Sequence, residues 1–112
     1  MYNKYRVSSK ANRTYKGIVF DSKKEMLRYV DLLYLEGKGI ISGLQLQVKF
    51  ELQPAFIFEG KKIQAINHVC DFQYMQDGKL IVEDVKGMKT PVYEVKKKML
   101  LYKYRDINFM ES

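Results

Sequence analysis

Asp71, Asp84 and Lys86 are the residues whose types and spacing point to chemistry. They lie in the stretch 68–87, HVCDFQYMQDGKLIVEDVKG, where two apolar runs flank Asp77-Gly78. Asp-Gly between alternating runs predicts a two-residue β-hairpin. Such a turn sets Gln76 against Lys79, and the same ladder sets Asp71 against Asp84 and Val69 against Lys86. Alternation then places Asp71, Asp84 and Lys86 on one face of the hairpin. Opposed Cβ atoms are about 5 Å apart, so two ionised carboxylates there repel unless a shared proton or a metal ion neutralises them. With a lysine roughly 7 Å along the strand, the trio is a candidate hydrolytic metal site. Mg²⁺ takes oxygen ligands and needs only one to three carboxylates. It can polarise a phosphate oxygen and hold a water as nucleophile, while the lysine orients or deprotonates that water or stabilises developing negative charge. The competing reading is an Asp-Lys pair on a wet sheet face. Val69, Met75, Leu80 and Val82 share that face, which makes it too apolar for simple solvation. Glu83 adjoins Asp84 but alternation sends it to the other face.

The elements around the hairpin follow from local signals. Residues 1–16 are basic and tyrosine-rich with no period, and read as a flexible arm; phosphate contact, through Arg13 among others, is the functional alternative to a terminus without a role. Gly17 to Phe20 is an extended lead-in. Ser22-Lys23-Lys24-Glu25 is a capping box, and Met26, Leu27, Val30, Leu33 and Tyr34 follow at helical spacing, so a helix is expected from Lys23 to Leu35 or Glu36, ended by Gly37-Lys38-Gly39. From Ile40 to Gln53 the period becomes two: Leu44, Leu46, Val48, Phe50 and Leu52 on one face, Gln45, Gln47, Lys49, Glu51 and Gln53 on the other. Ala55–Phe58 and Lys62–Ile66 flank a turn at Glu59-Gly60-Lys61, and the strand into Asp71 is expected to begin near Lys62. Thr90-Pro91 reads as an N-cap and first helical position, with Val92, Val95, Met99 and Tyr102 as the apolar stripe of a second helix to about Tyr104. Asp106–Phe109 is a short final strand. The fold class is α/β or α+β: a central mixed sheet of about four to five strands flanked by helices.

Composition bounds the function. At 112 residues and 46% hydrophobic the chain suits one folded domain, 17–112, behind the arm. No apolar run approaches the roughly 20 residues of a membrane span, and the N-terminus has no apolar signal core, so a cytoplasmic protein without a membrane partner is expected. A single cysteine and a single histidine exclude an internal disulfide and a Cys/His zinc cluster within one chain. A net charge of +7 favours a polyanion, most simply nucleic acid, over the bland reading of a soluble surface.

Asp71 … Asp84-Val85-Lys86 resembles the signature of the restriction-endonuclease-like, or PD-(D/E)XK, nuclease superfamily. Its surroundings carry the resemblance further: Phe20-Asp21-Ser22-Lys23-Lys24-Glu25, the stretch Leu44-Gln45-Leu46-Gln47 to Phe50-Glu51-Leu52-Gln53-Pro54, Asp71-Phe72-Gln73-Tyr74, Glu83-Asp84-Val85-Lys86-Gly87 and Tyr93-x-x-Lys96. Together these are similar to a small phage-encoded family grouped with Holliday-junction resolvase-like and transposon-end nucleases, over nearly all of Gly17 to Tyr104. The resemblance implies a restriction-endonuclease-like core and a Mg²⁺-dependent DNA endonuclease, with Mn²⁺ able to substitute. Asp71, Asp84, the Val85 carbonyl and Glu25 would be metal ligands and Lys86 the catalytic lysine. Glu25 is equally explained by its place in the capping box. Cys70 stands where the superfamily's name has Pro. Branched or recombination DNA is the expected substrate, a homodimer is expected if two strands are cut symmetrically, and the host-cell cytoplasm is the expected compartment for a phage protein. Lys96, Lys97, Thr90, Lys23, Lys24 and Arg13 are the candidate DNA contacts; a solvated face explains the lysines and a helix cap explains Thr90. Gln45, Gln47 and Gln53 read as ordinary exposed strand positions before DNA contacts, His68 as a partly buried neutral residue before a proton shuttle, and Cys70 as a small core residue. The rival class is a non-catalytic nucleic-acid-binding module on the same fold; a third is an interaction protein of a phage complex.

Overall fold

A computed structural model describes residues 9–112. Helix α1, Lys23–Gly37, starts where the sequence places it: Ser22 is the N-cap and its hydroxyl accepts the Glu25 N–H at 3.0 Å. It ends in a Schellman motif, with Gly39 N–H donating to Glu36 O and Ile40 N–H to Leu35 O, and Gly39 at φ +76°. Before it, a 3-10 turn at Ala11–Arg13 leads into a two-residue ribbon, β1 (Thr14–Tyr15) with β2 (Ile18–Val19). Part of the expected arm is therefore folded against α1, and Arg13 Nη1 donates to Phe20 O at 2.6 Å. Residues 1–8 of that arm lie outside the described residues.

The central sheet has the order β3 (Ser42–Gln53), β6 (Ile66–Gln76), β7 (Lys79–Asp84), β8 (Asn108–Glu111). The first two pairings are antiparallel and β7–β8 is parallel, so the sheet is mixed. Helix α2, Pro91–Lys103, makes the crossover that a parallel pair requires. Asp77 and Gly78 both take left-handed φ, +52° and +75°, the turn that Asp-Gly favours, and Gln76 pairs with Lys79 as expected. Between β3 and β6 a separate hairpin, β4 (Phe56–Phe58) and β5 (Lys61–Ile63), stands on its own. The strand into Asp71 thus begins at Ile66 rather than near Lys62, because Gln64 and Ala65 interrupt the pairing.

Two apolar clusters sandwich β7. Phe72, Tyr74, Ile81 and Val85 pack with Leu32, Met26 and Tyr29 of α1. Val82, Leu80 and Cys70 pack with Leu100 and Met99 of α2, together with Phe50 and Leu52. β3 keeps its alternation throughout, yet its inner residues serve both clusters: Leu44 and Leu46 on the α1 side, Phe50 and Leu52 on the α2 side. The β3–β6 ribbon therefore coils around the end of β7. In α1 the expected Leu27 and Tyr34 are exposed and Leu32 is buried instead, and α2 departs further from expectation. Val92, Val95 and Tyr102 of α2 are exposed, and the helix buries Tyr93 and Leu100 instead. Both stripes fit a 3.6-residue period, and the sheet selects the one carrying Leu100. No helix among the described residues is long and apolar enough to cross a membrane.

Candidate active site

The backbone pairing of β6 with β7 ends at Phe72–Glu83. One step further, where the ladder would set Asp71 against Asp84, side chains replace it. Asp84 Oδ1 accepts the Asp71 N–H at 3.1 Å, and Asp71 Oδ2 accepts the Val85 N–H at 2.8 Å. The two strands open here, and each aspartate bridges to the other's backbone. Asp84 is fully buried and Asp71 nearly so.

Glu25 enters from the first turn of α1. Its N–H is spent on the Ser22 cap, but its carboxylate Oε2 accepts the Gln47 side-chain amide at 3.2 Å. Glu25 is buried, and that burial, with the neighbouring charges of Asp71 and Asp21, raises its pKa to about 7; Lys86 pulls the other way and Asp84 adds to the rise. Burial also raises Asp71, against the lowering effect of the Val85 N–H, and the nearby Asp84 charge adds to the rise. Only half of the capping box forms: the Ser22 hydroxyl accepts the Glu25 N–H, while the Glu25 carboxylate turns to Gln47 instead of back to Ser22.

Gln47 sits between the pairs Leu46–Phe72 and Val48–Cys70, hence opposite Asp71, and its φ is +52°. Left-handed backbone is uncommon outside glycine, and here it carries the amide to Glu25. Sequence reading favoured an ordinary strand position; the parity shared by Gln47 and Asp71 was the available signal, while the twist in the backbone left none. A cavity of about 240 Å³ lined by Ile18, Val19, Phe20, Asp21, Glu25, Leu46 and Gln47 opens beside this corner.

Lys86 follows β7 and its Nζ rests 4.6 Å from the centroid of the Tyr93 ring. Its charge lowers Glu25 and Asp71, so it belongs to the same electrostatic site. Tyr93 comes from α2, packs on His68 with centroids 5.6 Å apart, and donates its hydroxyl to Glu111 Oε2 at 2.6 Å. His68 Nε2 lies 2.8 Å from Asp84 Oδ2. His68 is buried, and it contacts the very acid beside which the sequence offered it as a shuttle. Neither Tyr93 nor its partner Glu111 had any sequence signal beyond the Tyr93-x-x-Lys96 string.

Glu83 behaves as alternation requires. It is fully buried on the α1 face, where Arg28 Nε and Nη2 grip it at 2.6 and 3.0 Å, with Tyr74 and Ser112 hydroxyls at 2.7 and 2.6 Å. Of the expected companions of the site face, Val82 is buried, whereas Val69 and Met75 are exposed.

The candidate DNA contacts divide. Thr90 is a cap, its hydroxyl accepting the Tyr93 N–H at 3.1 Å, and Lys97 is paired with Glu111 at 3.1 Å. Lys24 Nζ donates to the carbonyl of Lys86 at 3.0 Å, beside the site, and Lys23 is exposed. Lys96 lines a cavity of about 300 Å³ with Asn67, His68, Val69, Thr90, Val92 and Tyr93.

Glu25, Asp71 and Asp84 share one electrostatic environment, yet their carboxylate oxygens do not all lie within 4.8 Å of one another, a closeness that His68, Cys70 and Asp84 do reach among the described residues. The three carboxylates are buried and offer hard oxygen donors of the kind a divalent cation takes, and burial first, with neighbouring negative charge second, raises Glu25 and Asp71. Each carboxylate oxygen retains a lone pair beyond the protein bonds given above. The softer set of His68, Cys70 and Asp84 is poorer, because burial pushes the Cys70 thiol up and keeps it protonated, while metals bind the thiolate.

A family model described as "Protein of unknown function (DUF1064)" matches residues 2–111. No curated protein and no solved structure matches the chain.

Proposed function

The chain belongs to the DUF1064 family, and for this member we propose a Mg²⁺-dependent DNA endonuclease of the restriction-endonuclease-like kind, cutting branched or recombination DNA. One observation carries the reading: Asp71 and Asp84 interlock at the open end of β6–β7, with Glu25 and Lys86 in the same electrostatic site. Asp71, Asp84 and Glu25 would hold the cation, with the Val85 carbonyl beside them. Bound there, Mg²⁺ would polarise a phosphate oxygen and hold the attacking water. Lys86 supplies an ammonium, seated on Tyr93, that can meet negative charge developing on the phosphate. Gln47 fixes the Glu25 carboxylate, and the Asp71 N–H and His68 fix that of Asp84. Lys23, Lys24 and Lys96 offer phosphate contacts on either side, and the net charge of +7 supports a nucleic-acid partner.

A second reading is a non-catalytic nucleic-acid-binding module. It is favoured by Asp84, both of whose oxygens already have protein partners. One assay separates the two: four-way junction, flap and linear duplex DNA with Mg²⁺, Mn²⁺ or EDTA, for wild type, Asp84→Asn and Lys86→Ala. The nuclease reading expects cation-dependent cutting that both substitutions abolish. Lys86→Ala leaves the Asp71–Asp84 bridge intact, so its inactivity cannot be blamed on a disturbed strand end. Binding without cutting in any cation, or cutting that survives EDTA, overturns it.

A further inference from the structure

The β4–β5 hairpin takes no part in either apolar cluster. Every residue of the stretch 54–64 is exposed, and the two strands pair only with each other. A lone two-stranded ribbon is marginal in water, and apolar side chains gathered on one mark an interaction surface. Phe56 and Phe58 are 44% and 59% exposed. Phe56 pairs with Ile63 and Phe58 with Lys61, so both rings share a face with Lys61, while Ile57 and Lys62 occupy the other. Neither ring packs on another ring among the described residues. Lys61 and Lys62 have no acidic partner among them. Glu59 and Gly60 at the tip both take left-handed φ, +49° and +77°, the tight turn of a two-residue hairpin.

From the base of the hairpin a track leads to the candidate active site. Ile66, the first residue of β6, shares a cavity of about 320 Å³ with Val95 and Lys96 of α2. Lys96 in turn shares a cavity of about 300 Å³ with His68 and Tyr93, the neighbours of Asp84 and Lys86. We propose that the hairpin binds an unpaired stretch of a DNA strand, Phe56 and Phe58 stacking on bases and Lys61 and Lys62 meeting phosphates, with Lys96 on the path to the acids. This rests on the reading of nucleic acid as the partner, and it adds a substrate feature that the acids cannot select: single-stranded DNA beside the cut. Rings on an open sheet face stack on any base, since every base has a π-face, and lysines around them supply backbone contacts. Charge decides the occupant. A strand of DNA brings a phosphate to each lysine, whereas a purely apolar partner would have to desolvate both ammonium groups. Ile63, which faces Phe56, precedes Asp71 by eight residues. The ring therefore lies within about 30 Å of Asp71, the reach of about nine stacked nucleotides.

Fluorescence anisotropy of the full chain in EDTA tests it, comparing a labelled duplex that carries a central single-stranded gap with the fully paired duplex of the same length. Wild type should bind the gapped DNA at least about tenfold more tightly. Phe56→Leu combined with Phe58→Leu keeps the apolar surface but removes both rings, and should abolish that preference. 2-Aminopurine placed in the gap should be quenched by wild type and not by the double variant, a signature of stacking that a merely structural role would not move. Lys61→Gln combined with Lys62→Gln should lower the slope of log affinity against log salt on gapped DNA by about 1.4. All four side chains are exposed, so thermal unfolding of both variants should match wild type. Equal affinity of wild type for the two DNAs overturns the proposal. So does a preference or a quench that survives loss of the rings, which would leave the hairpin to a protein partner. Cutting is read separately in Mg²⁺. A ring-dependent preference without cutting in any cation removes the nuclease reading and supports the hairpin assignment. Cutting of both DNAs at equal rates by wild type and the Leu variant does the reverse. Where gapped DNA is cut, the cut should fall within about nine nucleotides of the gap.

Discussion

Asp71 and Asp84 hold each other's strands: the Asp84 carboxylate accepts the Asp71 N–H at 3.1 Å, and the Asp71 carboxylate accepts the Val85 N–H at 2.8 Å. The bridge replaces the ladder where the sheet opens, and it keeps two acids buried close to a third. Such an arrangement costs stability when no cation is bound. Glu25 carries the clearest signature. Its pKa is 4.5 ordinarily and about 7 in the fold. The folded state therefore binds more protons than the unfolded chain between these values. The stabilising contribution is complete below about 4.5 and is lost as pH rises through 7. Chemical denaturation in EDTA should show stability falling across this window by on the order of 3 kcal/mol. Glu25→Gln should flatten the profile, and so should added Mg²⁺. A wild-type profile that is flat in EDTA would show that Glu25 ionises freely.

Glu83 gives the opposite pH dependence. Burial pushes its pKa up, but the Arg28 fork and the Ser112 and Tyr74 hydroxyls more than offset this and hold it below the ordinary carboxylate range. Its contribution is present above the unfolded value and is lost as pH falls through the folded one. Arg28→Ala strands a fully buried carboxylate and should cost about 3–5 kcal/mol in urea unfolding. Arg28→Met combined with Glu83→Leu removes both charges and should recover much of that loss. Failure of the double variant to exceed Arg28→Ala would mean that the pair does more than cancel its own desolvation.

These two sites show what the sequence could carry. The Asp77-Gly78 turn, the Ser22 cap, the Gly39 terminus, the alternation of β3 and the Thr90-Pro91 start are each written within a few residues, and each is found. The turn also set the register down to Phe72–Glu83, one step short of Asp71 and Asp84, and with it the divergence of Glu83, because period two propagates along a ladder. What was not legible depends on packing between distant segments. Arg28 and Glu83 are 55 residues apart, and Gln47 reaches Glu25 only through a left-handed kink. The inner face of α2 differs from expectation for the same reason. Val92-Val95-Met99-Tyr102 and Tyr93-Leu100 both have helical spacing, and only the sheet decides between them. Position 64–65 likewise looked continuous with the strand after it, although the chain there turns from a free-standing hairpin into the sheet.

Lys86 lies over Tyr93, and the ring also touches His68, the partner of Asp84. Tyr93 thus braces both the lysine and, through His68, the aspartate. Tyr93→Phe keeps the ring and loses the hydroxyl bond to Glu111 at 2.6 Å. It should cost about 1–2 kcal/mol of stability, as loss of a bond to a charged group does, and should leave cleavage close to wild type. Tyr93→Leu removes the cation–π seat and should slow cation-dependent cleavage roughly tenfold or more, the equivalent of about 1.4 kcal/mol in transition-state positioning. Single-turnover rates on the preferred DNA separate the two variants. Equal rates for Leu and Phe would show that Lys86 finds its place without the ring.

Glu111 ends β8 and ties that strand to the site through Tyr93. It accepts the Tyr93 hydroxyl, then Lys97 and Lys89 at 3.1 Å each, and these partners, Tyr93 foremost, hold its pKa down to about 2. β8 also closes the end of β7, since Ser112 N–H donates to Asp84 O and Lys86 N–H to Ser112 O. The backbone of the candidate catalytic lysine and of Asp84 two residues before it is therefore clamped by Ser112, next after the last strand. Glu111→Gln keeps the shape and one acceptor but gives up the charge that Lys89 and Lys97 share. Because Glu111 is partly exposed and its partners are solvated, screening should limit the stability loss to about 1 kcal/mol, smaller still at high salt. Truncation before Asn108 removes the clamp itself and should abolish cleavage together with cooperative unfolding. Amide hydrogen exchange at Lys86 and Ser112 reads the clamp directly: protection of both should drop in Glu111→Ala more than in Glu111→Gln, and equal protection in all three proteins would show that the strand is held without this side chain.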